Sequence, residues 1–312
     1  MFVITYLCKI FFIKIFFILH SPGRDGYGEC FQLIIVFMAK TATKYWKRFQ
    51  RGALPYCFTR LFNPRSPRLP YYKYIMEHGD SHFMIFPFMQ EYLSMKSSVF
   101  HDDKCGLPYV LLPSEYDNRR LYFRRDMSDE SVWQLYVGLL AEQDARSPHH
   151  YFDSLKELQG RQLLDIGSAE GILSLMAIEQ VSHVWLFECD SEWVEALEHT
   201  FAPWKDKVTI VCKYIGDNND GNCVTLDSFF SDKSHDNLYL KMDIEGMERK
   251  ALAGARRLFN EKGHVAFAIC SYHLHDDMKV ISSFLSDYNC SYIVQKGYYS
   301  HRYGGILLRG HN

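Results

Sequence analysis

From residue 161 onward, short apolar runs alternate with helical periodicities, and no other property of the chain restricts its fold as strongly. The runs fall at 162–166, 183–188, 207–213, 237–243, 263–270, 291–296 and 304–308. Apolar residues at helical spacing lie between them, near 170–180, 191–201, 247–260 and 276–288, with a short helical turn near 226–231. Strands separated by helices imply a parallel sheet covered on both faces. The last two runs are joined by a loop too short for a parallel crossover, so the final strand should run antiparallel to its neighbour. The expectation is an α/β, Rossmann-like domain with a seven-stranded, mostly parallel sheet and an antiparallel last strand.

The chain ahead of this region divides by composition. Residues 1–37 begin with an apolar run interrupted by Lys9 and Lys14. A spanning helix needs about 20 apolar residues, and no small-residue cleavage site follows, so a secretory signal fits poorly. Upstream sequence ahead of a true start at Met38, a membrane anchor and an ordinary folded segment are all compatible with it. Residues 39–70 are basic and aromatic, with Lys44, Tyr45, Trp46, Lys47, Arg48, Arg51 and Arg60 among them. Two readings stand: a helix lying on an anionic membrane surface, or a solvated arm tied down by its aromatics. Residues 71–150 read as a small cap, with a β-hairpin built from Tyr109–Leu112 and Leu121–Phe123. A helix through Val132 to Leu140 should follow, capped by Asp129 or Ser131. The polar string Glu142–Tyr151 then leads into the α/β domain, either as a linker or as a strap over the site. The domain limits expected are 1–37, 38–150 and 151–312.

A formal net charge of −2 gives no case for a nucleic-acid partner. The nine cysteines are scattered, with no C-x-x-C pair. That fits neither a disulfide framework nor a zinc knuckle, and points to buried free thiols in a reducing compartment. The expected location is the cytoplasm, with membrane association if the basic arm binds lipid.

The chemistry concentrates at the carboxyl ends of successive strands, where open α/β sheets bind ligands. The first such end is Asp165-Ile166-Gly167-Ser168-Ala169-Glu170-Gly171, a strand, a glycine turn and a helix start. The second is Glu188, about 20 residues beyond the turn and placed to accept ribose hydroxyls. The third is Lys241-Met242-Asp243-Ile244-Glu245-Gly246-Met247-Glu248, in which Asp243 and Glu245 share a side of an extended chain. The turn lacks the middle glycine of a dinucleotide fingerprint, and Glu170 would oppose a pyrophosphate. A cofactor without phosphates, carrying a ribose and a cation, suits Asp165, Glu188 and Asp243 better. S-adenosyl-L-methionine has that composition.

Asp-Ile-Gly-Ser-Ala-Glu-Gly is similar to the first cofactor motif of class I methyltransferases. Leu240–Glu248 resembles the K-x-D-x-E-G-x-E signature of the FkbM-type methyltransferases. Ile215-Gly216-Asp217 and Val224-Thr225-Leu226-Asp227 resemble that family's intermediate segment. The resemblance covers roughly 161–270 and extends weakly to the hairpin and to Ser147-Pro148-His149. The chain departs from the pattern at Ala169, where many methyltransferases have glycine, and at Met247, where alanine is frequent. The resemblance implies a class I fold and methyl transfer from S-adenosylmethionine to oxygen, often of a sugar or a polyketide, and so a place in polysaccharide biosynthesis. It also implies Asp165, Gly167, Ser168 and Gly171 at the methionine end, Glu188 at the ribose, and Gly216 with Asp217 near the adenine.

For the hydroxyl's proton, Asp243 is the first candidate base, with a contact to the cofactor's amino group as its alternative role. Glu245 would orient the acceptor or join Asp243 on a divalent metal, the latter being the lesser reading. His273, after the fifth strand, is a second base, and His275 would reach the same mouth. Lys241 should pair with an acid inside the sheet. Two carboxylates alone make a poor metal site, so no metal is expected. The competing functions are a nicotinamide-dependent oxidoreductase on a similar sheet, or a non-catalytic scaffold in polysaccharide assembly.

Overall fold

In the computed structural model, residues 43–312 are described, and they divide into two compact units. One comprises residues 43–64 and 72–79; the other comprises residues 65–71 and 80–312. The leader, residues 1–37, lies outside the described residues. In the smaller unit a continuous helical stretch passes through a π-type turn, Phe49–Ala53, into a helix at Leu54–Phe62. Pro55 near the start of that helix has no N–H for the preceding ladder, which suits an irregular turn just before it. Gly52 is buried, and a Cβ there would meet the backbone of Met76. Backbone contact at this glycine therefore ties the arm down. Of the arm's aromatics, Phe49 and Tyr56 are half-buried, whereas Tyr45, Trp46, Phe58 and Phe62 are exposed.

The larger unit is built on an eight-stranded sheet. Its strands are β1 (Met84–Ile85), β5 (Gln162–Ile166), β6 (His183–Phe187), β7 (Val208–Val211), β10 (Leu238–Met242), β11 (Val265–Cys270), β12 (Ser291–Tyr299) and β13 (Arg302–His311). The order is β1-β12-β13-β11-β10-β5-β6-β7. The five strands from β11 to β7 pair in parallel. The reversed β13 sits between β11 and β12, antiparallel to both. This is the expected topology with one strand more. The addition is β1, only two residues long, antiparallel to β12 at the edge. A run that short carries no alternation to detect.

The last hairpin is longer than its apolar runs. Tyr299 pairs with Arg302 across a two-residue turn in which Ser300 and His301 both have positive φ. Such a turn matches the twist of its strands and lets the buried Tyr298 and Tyr299 extend β12. The helix expected over 247–260 is two helices, Glu248–Ala253 and Arg256–Asn260. At the break a Cβ on Gly254 would overlap the Gly216 carbonyl. The Asp227 carboxylate then accepts from Arg257 and Leu258 N–H at 2.9 and 3.0 Å, capping the second helix.

Two apolar layers cover the sheet, and they take alternate residues of each strand. Leu163, Val184 and Leu186 face one layer with helix Ile172–Ala177, and Leu164, Ile166 and Leu240 face the other with the helices after β10 and β11. The cap joins the first layer. Its sheet is three-stranded, β2 (Phe100–His101), β3 (Pro108–Leu111) and β4 (Arg120–Tyr122), and Val110, Leu112, Leu121 and Phe123 pack against Leu163 and Leu175. Tyr122 N–H donates to Thr200 Oγ1 at 3.0 Å, and Arg119 donates to the Leu175 carbonyl at 2.9 Å. Among the described residues all seven cysteines are free, but Cys57 and Cys212 are exposed and only Cys270 is buried, so burial of the thiols is not general.

The cap helix spans Asp129–Glu142, and its cap is Ser128, one residue ahead of the two expected. Ser128 is extended and its side chain accepts from Ser131 N–H, whereas Asp129 already lies in the first turn and pairs with His101 at 2.9 Å. Ser128→Ala should therefore lower the unfolding free energy by about 1 kcal/mol in urea titrations. Asp129→Asn should cost less than half of that; the reverse order would overturn the cap assignment.

Candidate active site

β5 is covered on both faces, so the carboxylate near its end, Asp165, is buried and needs a partner. Lys241 stands opposite it in the register of β10 and β5 and supplies an ammonium at 2.9 Å; Ser174 donates to the other oxygen at 2.7 Å. Lys241 also donates to the Gly167 carbonyl. Burial pulls the Lys241 ammonium down, but Asp165 and Asp243 outweigh it and hold the group above its ordinary range. The pairing expected for Lys241 is present. Both Asp165 oxygens face inward to these partners, so Asp165 braces the turn.

The turn is tightly determined. Gly167 has φ of 77°, and a Cβ there would overlap the Asp243 carbonyl. Gly171, also at 77°, caps helix Ile172–Ala177 with no room for a Cβ beside Leu197 and Phe201. Ser168 donates to the Asp165 carbonyl at 3.0 Å. Ala169, at φ 45°, is left-handed where glycine is the easy choice, and its N–H donates to Glu188 Oε2 at 2.9 Å. Glu188 Oε1 accepts from Cys189 and Asp190 N–H at 2.7 and 2.9 Å. The half-buried Glu188 thus joins the glycine turn to the start of the next helix. Gly216 is buried with Cys223 Sγ against it, and Asp217 is exposed. Both lie on the loop between β8 (Tyr214–Ile215) and β9 (Cys223–Val224). That loop neighbours Glu188 through the thiols: burial, Cys212, Glu188 and Cys223 push Cys189 up to about 11.

At the end of β10 the extended chain stops at Met242. Glu245 has φ of 54° and a side chain 92% exposed, so Asp243 and Glu245 are not neighbours on one side of a strand. They meet at His273 instead. Its Nε2 lies 3.3 Å from Asp243 Oδ1 and 3.7 Å from Glu245 Oε2. Its Nδ1 lies 2.9 Å from Oε1 of Glu248, a fully buried carboxylate that also accepts from Ile244 N–H. Glu248 therefore selects the tautomer with Nδ1–H and leaves Nε2 as a bare acceptor. Burial pulls His273 down, but the Glu248 hydrogen bond and Asp243 outweigh it and raise its pKa. Burial pushes Asp243 up, but its pKa lies below the ordinary value, with the Lys241 ammonium, His273 and the Tyr151 hydroxyl favouring the ionised form. His275 is exposed on the loop that follows β11.

The polar string ahead of β5 reaches the same place. Tyr151 OH donates to Asp243 Oδ2 at 2.8 Å. His149 Nε2 lies 3.8 Å from the same oxygen and 3.1 Å from the Tyr272 hydroxyl. Burial pushes His149 down to about 4, so it is neutral. Burial and Asp243 push Glu142 up to about 8, and burial pushes Glu170 up to about 7. A cavity of about 430 Å³ opens beside His273, lined by Phe83, Met84, Phe86, Glu142, Glu245 and Tyr272 among others. Glu248, Tyr151, Tyr272, Glu142 and His149 were not assigned as site residues from the sequence. The signals available were the last acid of the Lys241–Glu248 signature and the density of polar residues at 142–151.

Among the described residues two groups have the spacing for a metal ion, His149–Asp243–Cys270 and Asp243–Glu248–His273, each with ligand atoms within 4.8 Å of one another. The second offers two carboxylates and an imidazole, which suits a divalent ion, although Glu248 and His273 already bond to each other directly.

Residues 213–293 match the family model described as the Methyltransferase FkbM domain. The matched segment contains Asp243, Glu245, Glu248 and His273, and the resemblance read from the signature rests on it. Two tRNA1(Val) (adenine(37)-N6)-methyltransferases of Shewanella baltica, strains OS185 and OS195, are each 38% identical over 60 residues, 18% of this chain and 25% of theirs. The chain thus spans a quarter of the length of these curated relatives. Among solved structures, the methyltransferase FkbM from Methylobacillus flagellatus KT is 20% identical, covering 64% of this chain and 57% of its own, with a TM-score of 0.41. A putative methyltransferase from Streptococcus mutans in complex with SAH is 8% identical, covering 50% of this chain and 93% of its own, with a TM-score of 0.36.

The Glu248–His273 pairing is directly measurable. Glu248→Gln keeps an acceptor for Nδ1–H but removes the negative charge that helps raise the imidazole pKa, so an NMR titration should show His273 titrating at lower pH than in the parent protein. An unchanged titration would mean that Glu248 does not orient the ring.

Proposed function

We propose that this chain, which carries the FkbM methyltransferase match at residues 213–293, is an S-adenosylmethionine-dependent methyltransferase. Its acceptor is a hydroxyl of a sugar, a glycan or a related secondary metabolite. The observation that carries the reading is the His273 imidazole at the cavity, held by Glu248 through Nδ1, with a buried, unpartnered Nε2 3.3 Å from the ionised Asp243.

The donor set suits a cationic cofactor without phosphates. A pyrophosphate at the turn would meet Glu170 and Glu188, while Lys241 is already bound to Asp165. S-adenosylmethionine would supply the methyl group, on a sulfonium whose positive charge the surrounding acids favour. Glu188 would hold the ribose, Gly167, Ser168 and Gly171 the methionine end, and Gly216 with Asp217 the adenine. Asp165 acts on the methionine end through the turn it braces.

Within the chain, His273 Nε2 takes the proton of the acceptor hydroxyl, and Asp243 stabilises the imidazolium that results. Glu248 keeps the ring in place. Tyr151 holds the Asp243 carboxylate by its other oxygen. The apolar wall of Phe83, Met84 and Phe86 excludes water and fixes the acceptor's approach, which is where much of the rate of a displacement reaction arises. Glu142 and Glu245 give the acceptor polar partners within a mostly apolar cavity, a common composition for small-molecule sites.

Glu188→Ala should weaken S-adenosylmethionine binding about ten- to hundredfold in calorimetry. His273→Ala should leave that affinity within a few-fold and lower turnover by about 10²–10⁴. Binding of NADP with none of S-adenosylmethionine would reverse the reading in favour of an oxidoreductase. The acceptor itself would be identified by a methyl mass lost from the cell's glycans when the gene is deleted.

Glu142 and Glu170, pushed up to about 8 and about 7, are partly protonated at neutrality. An arriving positive charge favours their ionised forms. Affinity for S-adenosylmethionine should therefore rise between about pH 6 and 9 with release of protons, while uncharged S-adenosylhomocysteine should show much less change. Equal and flat pH dependence for both would remove the electrostatic part of the argument.

A further inference from the structure

The arm at residues 43–64 carries a surface that methyl transfer does not use. Helix Leu54–Phe62 has no buried residue. Leu54, Phe58, Leu61 and Phe62 are 52%, 64%, 75% and 68% exposed, and their i, i+4, i+7, i+8 spacing puts them on one stripe. Upstream, Tyr45 and Trp46 are exposed as well, with the Trp46 ring stacked on Phe49 at 5.7 Å. A contiguous apolar surface of this kind marks an interaction site more often than a free exterior.

The charge of the arm narrows the partner. Lys44, Lys47 and Arg60 lie within it, and residues 43–64 contain no aspartate or glutamate; Arg48 already donates to the His78 carbonyl at 2.7 Å. A second copy of the arm would bring these positive groups face to face, which is unfavourable. Phosphates of a nucleic acid would satisfy the charges but leave the stripe in water. An anionic lipid surface satisfies both features: acyl chains take the stripe and headgroups take the cations. The continuous helical stretch 43–62 would rise about 30 Å, but five cations interrupt it, so it is not an apolar span. Among the described residues no helix is long and apolar enough to cross a membrane. The geometry of the arm is that of an element lying in the interface.

We propose that residues 43–64 form a peripheral membrane-binding surface for anionic lipid, in which Leu54, Phe58, Leu61 and Phe62 enter the headgroup–acyl boundary. The acceptor would then be met at a membrane surface.

The test is cosedimentation of the full chain with vesicles of phosphatidylcholine alone or of phosphatidylcholine with phosphatidylglycerol. Binding should need the anionic lipid and fall with added salt. Phe58→Glu/Leu61→Glu should reduce it by at least about tenfold, with the melting curve and S-adenosylmethionine affinity of the parent retained. Lys44→Glu/Lys47→Glu should reduce binding and its salt dependence together. Parent-like binding by Phe58→Glu/Leu61→Glu would overturn the proposal by locating lipid contact elsewhere. Absence of parent binding to both vesicles, a dimer dissolved by the same substitutions, or retention on RNA in place of lipid would each overturn it too.

Discussion

The ammonium of Lys241, between the carboxyl ends of β5 and β10, holds together the parts on which the site depends. It neutralises Asp165 at 2.9 Å and binds the Gly167 carbonyl, and so ties the glycine turn to the strand that delivers Asp243. Removing one member of a buried pair leaves a charge without compensation, at a cost of about 3–5 kcal/mol. Here the damage would extend beyond energy. Gly167 is packed so closely on the Asp243 carbonyl that a side chain there would displace the β10 end.

Around that brace, environment separates groups of like chemistry into different protonation states. Asp243 stays ionised with Lys241, His273 and the Tyr151 hydroxyl around it. Glu142 and Glu170 lie within the same acid-rich region, yet burial pushes them up. His149 is driven neutral by burial, while His273, held by Glu248 and facing Asp243, becomes more basic. Such divergence separates proton acceptors from hydrogen-bond donors at one pH.

The cap completes the site. Its hairpin shares one apolar layer with the sheet, so the strap from Glu142 to Tyr151 enters the site from a fixed base. That is how Tyr151 and His149 come to stand against Asp243, far from it in sequence. Residues from Phe83 to Phe86 wall the cavity on another side, and Met84 and Ile85 pair with β12 at the sheet edge.

The parallel sheet, its reversed strand, the glycine turn and the Lys241 pairing were all legible in the chain, because apolar periodicity and local backbone demands are written in neighbouring residues. The same locality misled at Glu245, where alternation along a strand was carried one turn too far. The strand stops at Met242, and Glu245 beyond it is left-handed. It also missed Glu248 as the partner of His273, β1 as a strand and Ser128 as a cap. Each of these depends on a contact made across the fold or on a single residue of offset. The sequence alone determined which strand ends would carry the acids. Only the tertiary structure decided which acid orients, which stays ionised and which nitrogen is left bare, because burial and distant charges set those properties and neither is local in the chain.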